Sequence, residues 1–233
     1  MLAGSCAAWG FAWTSFLKDP ALADRSASVP FRELLRVGAP QMAISLLESL
    51  RPLILLRIAQ ELVGGDALGH LATAKTFALP LVIAPELLAQ ALFPGMHGPG
   101  GEKAHVEGDR KRFIAEIAVA GVVVCAIYGG LAAWLLPSIG TGKYAGAVVP
   151  LLVLLPGVLA QGATAHTGYV LLVRDRLGKA ALVSVLSLVV TVFLAALLVP
   201  RTDAFGGATG AALALSVGLV VRSALLLAFA RQS

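Results

Sequence analysis

Ionisable side chains interrupt runs of sequence that are otherwise apolar, and any chemistry of this chain must start from them. Glu48, Arg51, Arg57 and Glu61 break one such run; Lys75 and Glu86 break the next. A charge at the centre of a bilayer costs roughly 2.5–3.5 kcal/mol on insertion scales, so it faces protein or water and marks a functional site by default. Glu48 and Arg51, at i and i+3, share a helix face and can pair. Arg57 and Glu61 form an i,i+4 pair on a nearly opposite face, closer to the membrane surface. Lys75 and Glu86 are spaced by close to three helical turns, which puts them on one face about 16 Å apart along the axis. Two roles are open to these groups: lining a water-filled cavity that binds a charged solute, or mutual neutralisation. Arg57 and Glu61 have a third, snorkelling to the interface.

A further polar group, Gln161, Thr164, His166 and Thr167, lies in a later apolar run. Histidine there could relay protons; hydrogen bonding to a neighbouring helix is the simpler role. No Cys/His nucleophile pair and no metal-ligand cluster stands out. Gly206, Gly207 and Gly210 follow no strand, so they do not read as a phosphate-binding loop. They suit close helix contact instead. Cys6 and Cys125 sit in separate apolar runs and read as small hydrophobes rather than a disulfide framework. The expectation is a protein that is not an enzyme and needs no cofactor.

The elements that must position these groups are membrane spans. The chain is 58% hydrophobic and only 13% charged, with a mean hydropathy of +0.86; soluble domains are about a quarter charged. Apolar stretches run from Met1 to Leu17, Leu34 to Val63, Ala67 to Phe93, Phe113 to Leu136, Ala145 to Val173, Ala180 to Val199 and Gly206 to Ala230. About 20 apolar residues in a helix match the hydrocarbon core. Inside lipid every backbone polar group must be satisfied internally, and runs such as Ala180 to Val199 lack the alternation of a membrane β-barrel. The fold class is therefore all-α, a polytopic transmembrane bundle of six full helices plus a partial N-terminal one. Residues 1–30 form the partial helix and its linker, and residues 31–233 form the six-helix domain.

The linkers orient the bundle. Lys18, Arg25, Arg32, Lys103, Arg110, Lys111, Arg112, Arg174, Arg176, Lys179 and Arg231 fall in one alternate set; Lys143 and Arg201 fall in the other. The positive-inside rule places the first set, and the C-terminus, in the cytoplasm. The net charge of +5 thus reports topology, and nucleic acid is not an expected partner. Met1 to Leu17 lacks the basic n-region of a signal peptide and at 1.5 Å per residue spans only about 25 Å. It reads as the tail of a membrane helix, with a short true span and a signal sequence as alternatives.

Three segments carry a family resemblance. Leu87 to Pro94 (LLAQALFP) is similar to a helix end closing on Leu-Phe-Pro before a basic loop; Ile139 to Leu155 (IGTGKYAGAVVPLLVLL) resembles a G-x-x-Y-x-x-A helix start; Val199 to Leu215 (VPRTDAFGGATGAALAL) resembles a P-x-x-G-x-x-G-A-A junction. The Leu172 to Lys179 turn is similar to the short turn that follows the fourth helix. In this order, from Phe31 onward, they resemble the C-terminal half of a polysaccharide flippase of the multidrug/oligosaccharidyl-lipid/polysaccharide exporter superfamily, whose members place two six-helix halves around a central cavity.

The resemblance implies export of a lipid-linked oligosaccharide across the inner (cytoplasmic) membrane by alternating access, as a half or fragment of a larger transporter. Its partners would be membrane lipid, the lipid-linked substrate, and a first-half chain or a second copy; its coupling ion would be H+ or Na+. Arg51, Arg57 and Lys75 would attract the pyrophosphate and sugar, arginine through its planar fork. Glu48, Glu86, Glu61, Gln161 and His166 complete the cavity candidates. Pro40, Pro52, Pro80, Pro85, Pro150 and Pro156 would kink the spans, as in transporters that rock between states. The alternatives are a multidrug or cation exporter coupled through Glu48 or Glu86, and a non-transporting assembly partner.

Overall fold

The computed structural model describes residues 31–92, 103–173, 176–201 and 207–231, and within these ranges the side chains mainly at 31–37, 90–92 and 103–111 are left undescribed. The expected helix at Met1 to Leu17 and its linker, the Phe93-Pro94 helix end, Arg174 and the centre of the Val199 to Leu215 junction lie outside the described residues. The chain divides at Ala39 into two units, and the helical bundle with its cavity belongs to the second, Pro40–Ser233.

Among the described residues there are six long helices and no strand. They are α1 (Phe31–Leu62), α2 (Gly65–Leu92), α3 (Lys103–Ser138), α4 (Val148–Val173), α5 (Leu177–Leu198) and α6 (Ala208–Arg231). Five stretches, drawn from α2 to α6, are long and apolar enough to cross a membrane: Gly65–Ala89, Ile114–Ser138, Ala145–Ala165, Gly178–Leu198 and Ala208–Ala230. α1 has the length, at 32 residues, but it is not apolar enough to join them. The chain is a multi-pass helical membrane protein.

The helix bounds follow the apolar runs closely, with two differences. α3 begins ten residues before the apolar run, at Lys103 rather than Phe113, through a polar segment that an apolar pattern does not mark. Where that segment meets the apolar run, Arg112 Nε lies 2.6 Å from Glu116 Oε1, an i,i+4 pair. The Ala145 to Val173 stretch opens as a short 3-10 turn (Ala145–Ala147) before α4 proper.

α4 lies at the centre, packed against α2, α3 and α6, and α5 packs on α6. Two of these seams need glycine. A Cβ on Gly218 of α6 would collide with Thr191 Oγ1 of α5, and one on Gly157 of α4 would come 2.6 Å from Ser216 Cα of α6. Helices in lipid gain by such close approach, where small residues let backbones meet and hydroxyls bond across the seam. Gly157 follows Pro156, which interrupts the α4 ladder, and its N–H donates to Ser216 Oγ at 3.0 Å. On α2, Phe77 O accepts from the Tyr128 hydroxyl of α3.

Buried apolar residues from all six helices form a main core that includes Leu55, Leu71, Leu136, Leu151, Leu154 and Leu215. A smaller cluster of Leu171, Ala180, Val183 and Leu226 lies toward the opposite ends of α4, α5 and α6. Buried polar residues fall between the two: Arg51, Thr164, Thr167, Ser184, Ser187 and Ser223. This polar layer is the setting of the site.

Candidate functional site: a charged cavity within the bundle

The layer is organised by Glu48 on α1. Its Oε2 lies 2.9 Å from Nη1 of Arg51, one turn on, so the expected i,i+3 pair forms. The same carboxylate takes a second cation that sequence reasoning missed. Arg222 of α6 places Nε 2.9 Å from Glu48 Oε1, though its N–H is not aligned on the oxygen as a hydrogen bond; the contact is one of charge. Ser184 of α5 also donates to Oε1, at 3.3 Å. The Arg51 side chain is only 2% exposed. Its Nη2 donates to Ser187 Oγ at 3.0 Å, and Ser187 donates onward to Gly218 O at 2.7 Å. Arg51 Nε is buried without a hydrogen-bond partner. One carboxylate therefore holds two guanidiniums, and three helices meet at it.

Two chambers adjoin this cluster. The larger, of about 390 Å³, is lined by Glu48, Glu86, Gln161, Thr164, Ser184 and Arg222 among others. Glu86 of α2 accepts from Gln161 Nε2 of α4 at 3.4 Å. The smaller, of about 180 Å³, is mostly apolar and is lined by Lys75, Arg51, Glu48 and Gln161 with Leu79, Leu154 and Leu219. Glu48 and Gln161 belong to both walls, so the chambers are neighbours. Lys75 is half-buried and has no ion-pair or hydrogen-bond partner among the described residues.

Depth is set by helix position. Lys75 lies near the middle of the Gly65–Ala89 span, while Glu86 lies about 13 Å from that middle at 1.5 Å per residue. The larger chamber, which also touches Gly168 and Ala180, thus opens toward the helix ends that adjoin residues 93–102 and the basic linker at 174–176. The smaller lies near mid-membrane.

Of the residues singled out in the sequence, the structure brings together Glu48, Arg51, Lys75, Glu86 and Gln161. It leaves Arg57 and Glu61 out. They pair with each other at 2.6 Å with side chains 68% and 58% exposed, on the α1 face away from the cavity, because their offset from Glu48 and Arg51 turns them outward. His166 falls within α4, but its side chain lies outside the described residues. Arg222 could have been found by the rule that singled out the others: it is a charge within the apolar run Ala208–Ala230. Cys125 is a free, half-buried thiol. No group of His, Cys, Asp and Glu among the described residues has a metal-binding arrangement.

No family model matches the chain, and neither does any characterised protein or solved structure. Its class rests on its own residues: a polytopic helical membrane protein with a charged cavity inside the bundle.

Proposed function

We propose that this chain is a six-helix unit of a membrane transporter of the flippase type, moving a lipid-linked oligosaccharide or polysaccharide precursor by alternating access. The observation that carries the reading is the cavity itself. Arg51, Arg222, Glu48 and Glu86 come from three helices, and Lys75 adds an ammonium with no partner among the described residues. Ionisable groups are retained in membrane spans at a cost, and they face a solute pathway or each other. A purely structural pair would leave neither two adjoining chambers nor a lysine without a partner.

The walls suit a diphosphate with an apolar tail. The smaller chamber offers Lys75 and the edge of Arg51 within apolar walls, and a guanidinium can hold two phosphate oxygens at once. The larger chamber is polar and faces the helix ends that the positive-inside rule assigns to the cytoplasm. A sugar-bearing headgroup would load there. Pro80 and Pro85 inside α2 and Pro156 inside α4 flank the site and make local bending inexpensive.

One observation favours a second reading, a multidrug or cation exporter. Glu86 reaches the cavity with a single long hydrogen bond from Gln161, which leaves its carboxylate able to take a proton or a cationic solute. Glu48 is less suited to coupling, since two arginines already neutralise it.

The test uses liposomes carrying a tagged polyprenyl-diphosphate oligosaccharide, with transfer between leaflets read by quenching from outside. The wild-type chain, alone or with a first-half partner, accelerates transfer, and Lys75→Ala removes the acceleration while thermal unfolding stays cooperative. Transfer at the wild-type rate in folded Lys75→Ala overturns the reading. Gradient-driven uptake of a cationic dye, abolished by Glu86→Gln, would establish the exporter instead.

A further inference from the structure

The Glu48 carboxylate occupies a place that a ligand oxyanion would fit. Two guanidiniums converge on it from different helices, Arg51 at 2.9 Å and Arg222 at 2.9 Å. Two cations held by one carboxylate leave one charge in excess at this point, and neither guanidinium is fully used. Arg51 Nε is buried without a partner, and the Arg222 Nε–H is not aligned on the carboxylate. Glu86 faces the same cavity from α2 and Lys75 the adjoining chamber from the same helix, so the excess of one positive charge holds for the site as a whole. α1 contributes apolar residues such as Leu55 to the main core, but among the described residues its polar side-chain links to α5 and α6 run through Glu48 and Arg51.

We infer that Glu48 is an internal stand-in for the substrate's phosphate: the Arg51–Arg222 pair is an oxyanion-binding site that Glu48 masks, and a diphosphate displaces the carboxylate and releases α1 from α6. The inference rests on the transport reading for its ligand class, although the site can bind without any transport taking place. The chemistry of the two occupants is matched. A carboxylate presents two oxygens in one plane. A diphosphate presents more acceptors and more charge, and so can engage donors that Glu48 leaves idle. Charge-assisted bonds between arginine and phosphate are among the stronger polar contacts, and a bidentate fork adds geometric selectivity. Displacement would also loosen the Glu48–Arg222 tie between α1 and α6, so binding and helix movement would be coupled by the same two guanidiniums.

Binding is measured on the purified full chain in detergent, with geranyl diphosphate as the lipid-like probe and inorganic pyrophosphate as the free anion. Glu48→Gln keeps the side chain's shape and its contact with Ser184 but removes the competing charge. It is expected to tighten geranyl diphosphate binding about tenfold, and Glu48→Gln combined with Arg222→Gln to lose that gain. Tightening toward pyrophosphate as well identifies the site as a reader of the oxyanion; tightening toward geranyl diphosphate alone identifies a site that also needs the apolar tail. A folded Glu48→Gln that binds neither probe more tightly than wild type overturns the proposal.

Should Glu48→Gln not fold, a distance in the otherwise unaltered protein decides. Spin labels at Leu46→Cys on α1 and Val220→Cys on α6, both outward-facing positions, in a background with Cys6 and Cys125 replaced, are expected to move apart when geranyl diphosphate is added. An unchanged distance at saturating probe overturns the proposal. If Glu48-dependent binding is found and leaflet-to-leaflet transfer is not, the masked site stands and the flippase reading falls.

Discussion

Arg222 of α6 and Arg51 of α1 both lean on the single carboxylate of Glu48, which lies 2.9 Å from each. Like charges are thus held close inside a membrane bundle by one shared counter-charge. Removing that counter-charge leaves a buried guanidinium uncompensated, and breaking a buried pair from one side typically costs about 3–5 kcal/mol. Glu48→Ala is expected to destabilise the protein by about 3 kcal/mol on this scale, read by denaturant unfolding in detergent. Stability within about 1 kcal/mol of wild type, on the order of an exposed pair's worth, would show that the cluster is not closed in solution.

The α5–α6 seam offers a prediction independent of charge. A Cβ at Gly218 would collide with Thr191 Oγ1 and come within 3.4 Å of Ser187 O. Thr191 is itself fixed by a hydrogen bond to Ser187 O at 2.8 Å. Gly218→Ala should therefore cost about 1–3 kcal/mol, the usual penalty of overpacking, and the added change Thr191→Ala should recover part of it. An unfolding midpoint unmoved by Gly218→Ala would mean that the two helices do not meet this closely.

Arg57 and Glu61 should behave unlike the charges half a helix away. Their pair is exposed on both sides, and surface pairs at this spacing are worth only about 0.3–0.5 kcal/mol. Arg57→Ala is expected to leave diphosphate binding and transfer as in wild type, whereas Lys75→Ala weakens both. Equal losses in the two variants, measured in the same liposome assay, would place the solute path along the outer face of α1 instead of inside the bundle.

Orientation can be read with an impermeant maleimide on sealed cells. With Cys6 and Cys125 replaced, Lys143→Cys, exposed beside the 3-10 turns after α3, should label from outside. Gly178→Cys, exposed at the start of α5, should label only after the membrane is opened. The reverse pattern would invert the assignment made from the basic linkers.

How far the site could be read before folding differs from one pair to the next. Glu48 with Arg51 and Arg57 with Glu61 look alike in the sequence, both being helical neighbours of opposite charge. Their burial separates them, at 2% exposed for the Arg51 side chain against 68% for Arg57, and burial depends on which face α1 turns to α5 and α6. Spacing alone puts Lys75 and Glu86 on one face of a regular helix. That they line two neighbouring chambers, joined at Gln161 of α4, depends on how α2 packs against α4.

The sequence by itself determined the helices of this protein, their approximate ends and the residues too charged for lipid to ignore. Those properties are local. A backbone in hydrocarbon must bond within its own segment, so an apolar run of sufficient length becomes a helix whatever surrounds it. Only the tertiary structure decided that Glu48 would be shared between Arg51 and Arg222, and that Ser184 and Ser187 would complete the cluster. Helices in lipid are held by close packing at small residues rather than by a difference in hydrophobicity. Their rotation and register are set by contacts such as Gly218 on Thr191 and Gly157 on Ser216, and those contacts join residues far apart in the chain.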